Sequence, residues 1–219
     1  MVIKMKNDTI AWILLMLGGY LFGGVMFSRI LPALFMKKDI CKISDDGNPG
    51  SANVFKNCGV VMGIICLVLD MLKGFLPVFL AVRFLDPNDF RFAGLLWMPV
   101  LGHATALFNH FRGGKCIATA FGEMIALLPK SRIGLVLAGL YIFFSTVWKI
   151  NPNRVRSLVT FGIFALMSTV WFFLTKEFAL MAGCLAISLT AMFRHSKWVT
   201  AQTETVKAKS GEAVGVRNN

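Results

Sequence analysis

Near-continuous runs of hydrophobic residues occupy positions 10–27, 58–85, 92–111, 116–128, 133–148, 157–175 and 178–193, with polar and charged residues gathered between them. A helix needs about twenty apolar residues to cross a bilayer, so the runs predict an all-α, polytopic transmembrane helical bundle of about seven spans. The run at 116–128 is short for a span and carries Glu123, so it is expected to be re-entrant or covered by its neighbours. The run at 10–27 has no convincing small-residue cleavage site and leads into further membrane segments, which predicts a retained helix. No fixed-period repeat is visible and the end of the chain is polar. The expected organisation is one membrane domain over 1–200 and a polar, mobile tail over 201–219.

Composition removes the competing classes. Of 219 residues, 56% are hydrophobic and only 16% charged, which excludes a soluble domain, a coiled coil or a disordered chain. The 23 basic residues outnumber the 11 acidic ones, for a net charge of +12. In a soluble chain that excess would suggest nucleic acid. Here the cations fall mainly between apolar runs, where they set topology and meet anionic lipid or phosphorylated substrates, and no nucleic-acid partner is expected. With the N-terminus outside, 15 basic residues lie in inner segments and seven in outer ones, which predicts a cytoplasmic C-terminus. The five cysteines are widely spaced and include no CxxC pair, so neither zinc nor a disulfide is indicated.

Three segments carry residues suited to chemistry. Between the first two runs, Asp45, Asp46, Gly47, Asn48, Pro49, Gly50, Ser51, Ala52 and Asn53 precede Lys56. Glycines at 47 and 50 permit successive main-chain amides to converge on an anion, with Lys56 adding charge; an ordinary turn between helices has the same composition. Inside the second run, Asp70 and Lys73 stand three residues apart. Charges at membrane depth must be paired, so they are expected to face the bundle interior, either as a structural pair or with Lys73 forming a polar, anion-attracting cavity. The third segment runs from Gly102 and His103 to Gly113, Gly114 and Lys115, then to Thr119 at the start of the next run. Its two glycines could expose amides at a helix start, where the dipole favours anions. A Walker A loop is excluded, because Asn109 and Cys116 stand where that pattern requires glycine and serine or threonine. Arg154, Arg156 and Ser157 open the sixth run and Arg194 and His195 close the last. These suit positive-inside anchors and could also complete a basic site.

Taken together, the segments resemble the acyl-phosphate-dependent glycerol-3-phosphate acyltransferase family of bacterial membranes. The shared positions are Gly47, Asn48, Gly50, Asn53 and Val54; Asp70, Lys73 and Gly74; Gly102, His103, Phe108, Phe111, Gly113, Gly114, Lys115, Ala118 and Thr119; and Arg194 and His195. The chain departs from the pattern at Asp46, where the family has serine, at Ala52 in place of threonine, at Lys56 in place of arginine, and at Trp198 in place of asparagine. An aspartate in a phosphate cradle repels its ligand unless it is protonated or paired. The resemblance implies transfer of a fatty acyl group from acyl phosphate to the first hydroxyl of glycerol 3-phosphate, giving lysophosphatidic acid and inorganic phosphate at the inner face of a bacterial inner membrane. It implies no cofactor and no metal, and its partners are the two substrates and membrane lipid. By analogy the 47–50 loop would cradle one phosphate, Lys115 and Lys56 would neutralise the other, and His103, His195 and Ser157 would orient polar atoms. The departures leave two alternatives: a paralogue using another hydroxyl acceptor, and a non-catalytic lipid- or phosphate-binding protein. A transporter is a third alternative, for which no repeat of broken helices speaks.

Overall fold

The structure is a computed structural model that describes residues 9–196; Trp198 and the 201–219 tail lie outside that range. Within it the chain is helical: α1 (Thr9–Gly23), α2 (Phe27–Met36), the single turn α3 (Ile40–Ile43), α4 (Ser51–Cys58), α5 (Val60–Phe84), α6 (Arg91–Thr105), a 3-10 turn (Leu107–Asn109), α7 (Ile117–Leu127), α8 (Ile133–Thr146), α9 (Asn153–Thr175) and α10 (Phe178–Arg194). Each of the seven apolar runs contains a helix. The segments Val60–Phe84, Arg91–Asn109 and Asn153–Thr175 are long and apolar enough to cross a bilayer, and α1 with α2 makes a fourth candidate bent by 45°. The other three apolar helices, α7, α8 and α10, are shorter than a full span.

The first run is therefore not one helix over 10–27. It stops at Gly23 and resumes at Phe27. The charged pair of the second run explains how a break is tolerated where the bilayer offers no hydrogen bonds. Lys73 lies 3.0 Å from Asp70 and donates at 2.6 Å to the carbonyl of Val25, inside the break. Ser28, in the first turn of α2, donates to the other oxygen of Asp70 at 2.5 Å. Both charged side chains are fully enclosed. Of the two roles expected for this pair, its polar atoms serve the structural one: they clasp the broken span.

The eleven residues of α7 rise only about 16 Å at ~1.5 Å per residue, half the hydrocarbon thickness. It packs most closely on α5, because glycines let the two backbones meet. A Cβ on Gly74 would collide with the carbonyl oxygen of Thr119, and one on Gly122 with that of Met71. Close backbone approach through small residues is how helices associate without a hydrophobic driving force. Glu123 is completely buried by this packing and accepts a 3.1 Å hydrogen bond from the Val100 amide, just after Pro99 in α6. The acid that made this run unsuitable for lipid is thus covered by α5 and α6. Ile10, Leu14 and Leu17 on α1, with Leu166, Trp171 and Leu174 on α9, point outward, as expected of a surface solvated by lipid.

Candidate active site

The acidic loop and the glycine loop meet. Gly47 takes a positive φ of 62°, which turns the chain so that the Asp46 side chain accepts the Asn48 amide at 3.1 Å. Asn53, in the first turn of α4, donates to the same oxygen at 2.8 Å and to the Asn48 carbonyl at 2.8 Å. The second carboxylate oxygen accepts the Lys115 ammonium at 2.6 Å. Burial works against the charge of Asp46, yet Lys115, through its hydrogen bond and its charge, together with Asn53 and Asn48, outweighs it and holds the carboxyl below the usual range. The anion held in the expected phosphate cradle is therefore the protein's own Asp46. Lys56 is outside this cluster, with its side chain 69% exposed and 3.9 Å from Asp45.

The loop that delivers Lys115 is pressed onto the end of α6. The Gly114 amide donates to the His103 carbonyl at 3.1 Å. A Cβ on Gly113 would strike the carbonyls of His103 and Ala104, and one on Gly114 would strike the His103 ring. Arg194, at the end of α10, donates through Nε to the Gly114 carbonyl at 3.0 Å and through Nη2 to the Gly113 carbonyl. The two glycines serve close approach and clamping, and the Gly114 amide expected to face an anion is spent on His103. Arg154, from the start of α9, donates to the His195 carbonyl at 2.8 Å. The buried His195 ring lies against the Lys115 main chain without a well-formed hydrogen bond. Burial, aided by the charges of Lys115 and Arg194, pushes its pKa down to about 4, so the imidazole is neutral at pH 7.

Four segments far apart in sequence, 46–53, 103–115, 154–157 and 194–195, thus form one connected assembly. His103 is buried with Nδ1 unpartnered, as is the Ser157 hydroxyl in the second turn of α9. Gly102 and Thr119 have packing environments: a Cβ on Gly102 would strike the Tyr20 carbonyl in α1, and Thr119 is enclosed against α5. Beside the assembly, an open apolar groove of about 650 Å³ is lined by Val25, Met26, Arg29, Ile30, Leu34 and Phe108, among others. Asn109 also borders this groove and donates at 2.6 Å to the carbonyl of Arg112, so groove and lysine sit at two ends of one loop. The groove opens at the break between α1 and α2, whose residues Val25 and Met26 line it.

Compared with known proteins, residues 13–204 match the pattern of the glycerol-3-phosphate acyltransferase family. The chain belongs to this family. The glycerol-3-phosphate acyltransferase of Syntrophotalea carbinolica is 31% identical over 182 residues, covering 83% of this chain and 89% of that one. The one from Thermosipho melanesiensis is 35% identical over 178 residues, covering 81% and 82%. The crystal structure of PlsY, an integral membrane glycerol 3-phosphate acyltransferase, in its glycerol 3-phosphate form superposes with a TM-score of 0.71 at 25% identity, over 91% of this chain and 92% of that one. Its lysophosphatidic acid form shares the fold, with a TM-score of 0.69. This acyltransferase-family chain is a multi-pass membrane protein, and the helical bundle expected from its apolar runs is the family's architecture.

Proposed function

We propose that the protein transfers a fatty acyl group from acyl phosphate to the first hydroxyl of glycerol 3-phosphate, releasing inorganic phosphate and lysophosphatidic acid. Family membership supports the acyltransferase activity and the acceptor. The observation that supports the site is the convergence of Lys115, Asn53 and the Asn48 amide on one anion position, next to an apolar groove able to take a lipid chain. Acyl phosphate already carries a good leaving group, so orienting it against the hydroxyl and stabilising the charge on phosphate and carbonyl oxygen supply the catalysis. In this reading Lys115 is the cation of the reacting phosphate, His103 and the neutral His195 ring orient polar atoms, and Arg194 positions Lys115 by clamping the glycines before it. Lys56, being exposed, acts as an outer attraction for the acceptor phosphate. The reaction takes place at the cytoplasmic face of a bacterial cell membrane, with the N-terminus outside.

The test is acyl transfer by the purified protein in lipid, with palmitoyl phosphate and labelled glycerol 3-phosphate, acyl-CoA as donor control and Lys115→Ala as protein control. Lysophosphatidic acid formed from acyl phosphate alone, and lost in the variant, is the expected result. Product from acyl-CoA would overturn the donor assignment. Turnover of other alcohols in preference to glycerol 3-phosphate would assign a different acceptor, a reading favoured by the exposed Lys56 standing where the family has arginine.

A further inference from the structure

Asp46 is a carboxylate placed among donors that suit a phosphate. Its two oxygens receive the Lys115 ammonium at 2.6 Å, the Asn53 side-chain amide at 2.8 Å and the Asn48 main-chain amide at 3.1 Å. These donors come from two segments distant in sequence and include Lys115, delivered by the loop of Gly113 and Gly114. The Gly47 amide is spent on the Ser44 carbonyl at 3.3 Å. An incoming phosphate therefore finds these three donors engaged by an internal anion, and cannot share Lys115 with a carboxylate at hydrogen-bonding distance without like-charge repulsion. The pair is not locked in place: the side chains of Lys115 and Asp46 are 27% and 37% exposed, so water reaches both and separating them is inexpensive.

We infer that Asp46 is an internal competitor for the anion site, a specificity-determining residue that a substrate phosphate must displace from Lys115 and Asn53 before it binds. The inference rests on the reading of Lys115 as the phosphate cation. It makes the resting site self-neutralised, so that weakly bound anions such as inorganic phosphate are excluded, whereas a ligand anchored additionally by an acyl chain in the groove succeeds. Asp46 contributes nothing to the chemical step in this scheme; it sets the affinity threshold.

The experiment is titration of the full chain in lipid nanodiscs with inorganic phosphate, following heat or the 31P resonance, for the natural sequence, Asp46→Asn and Asp46→Ser. Asn keeps the shape and one carbonyl oxygen while removing the charge, and Ser removes the charge and shortens the side chain to a hydroxyl. Both variants are expected to bind phosphate more tightly, by up to about 5-fold, the upper range for a charge pair that water reaches. A purely structural role for Asp46 would loosen the 46–53 loop and weaken binding, so the sign of the change decides. Binding that is unchanged or weaker in both variants, or no phosphate binding in any of the three, overturns the inference. Acyl transfer from palmitoyl phosphate, assayed on the same preparations, separates the two readings: turnover without the affinity change sinks only the competitor, and tighter binding without turnover upholds the competitor while sinking the acyltransferase assignment.

Discussion

The pairs Asp70–Lys73 and Asp46–Lys115 are opposites. Asp70 and Lys73 belong to one helix, are sealed from solvent, and turn their polar contacts inward, to each other, to Ser28 and to the Val25 carbonyl. Asp46 and Lys115 come from loops 69 positions apart and meet where water enters. The chemistry is the same and the environments differ, so the energetics differ. A buried pair is costly to assemble and far more costly to halve, because the remaining charge has no solvent to turn to. An exposed pair contributes little to stability and can be traded for another ion. The comparison teaches that residue type identifies a pair, whereas burial decides whether it is architecture or binding site.

The largest effect should come from halving the buried pair. Lys73→Met or Asp70→Ala is expected to cost about 3–5 kcal/mol, seen as a large fall in the unfolding midpoint in detergent, with much of it recovered in Asp70→Asn combined with Lys73→Met. Equal damage in single and double variants would break the contrast. At the water-accessible pair, Lys115→Ala should lower acyl transfer by about 100-fold or more, while its unfolding midpoint stays near that of the natural sequence. Full activity there would remove Lys115 from the site.

Between these lies Gly114→Ala. Its Cβ would meet the His103 ring, and overpacking of this kind costs about 1–3 kcal/mol. The expected result is a lowered midpoint together with reduced turnover, since the strap that presents Lys115 must shift. His195 gives a smaller, pH-dependent effect. Its folded pKa of about 4 lies below the unfolded value of 6.5, so the unfolded chain takes up the proton first. Its contribution to stability is complete above pH 6.5 and is lost as pH falls toward 4. His195→Gln should flatten that part of the profile, and an imidazole resonance titrating near 6.5 would contradict the burial. The smallest change is expected from Lys56→Gln, within about 0.5 kcal/mol of the natural stability, with any loss confined to the apparent affinity for glycerol 3-phosphate.

Much of the architecture is legible in the chain because lipid imposes a one-dimensional rule. An apolar run must become a helix, and a charge within it must find a partner. The i,i+3 spacing of Asp70 and Lys73 was enough to expect a pair, and Glu123 in a short run was enough to expect cover. The break at Gly24 to Met26 was not legible, since the run continues apolar across it and only Lys73, Asp70 and Ser28 make it tolerable. The duties of Gly113 and Gly114 were not legible either. Two glycines before a lysine permit both an open amide cradle and a strap pressed onto a neighbour, and the choice depends on His103 and Arg194 being there to fill their hydrogen bonds.

By itself, then, the sequence determined the solvent, the helical class, the family pattern and the residues worth watching, because these follow from hydrophobic run length, charge placement and local spacing. Tertiary structure alone decided that Asp46 meets Lys115, that Arg194 holds the glycine strap, and that Asp70 and Lys73 close a broken span. Each of those depends on which distant groups arrive within about 3 Å, the range over which a hydrogen bond or ion pair acts.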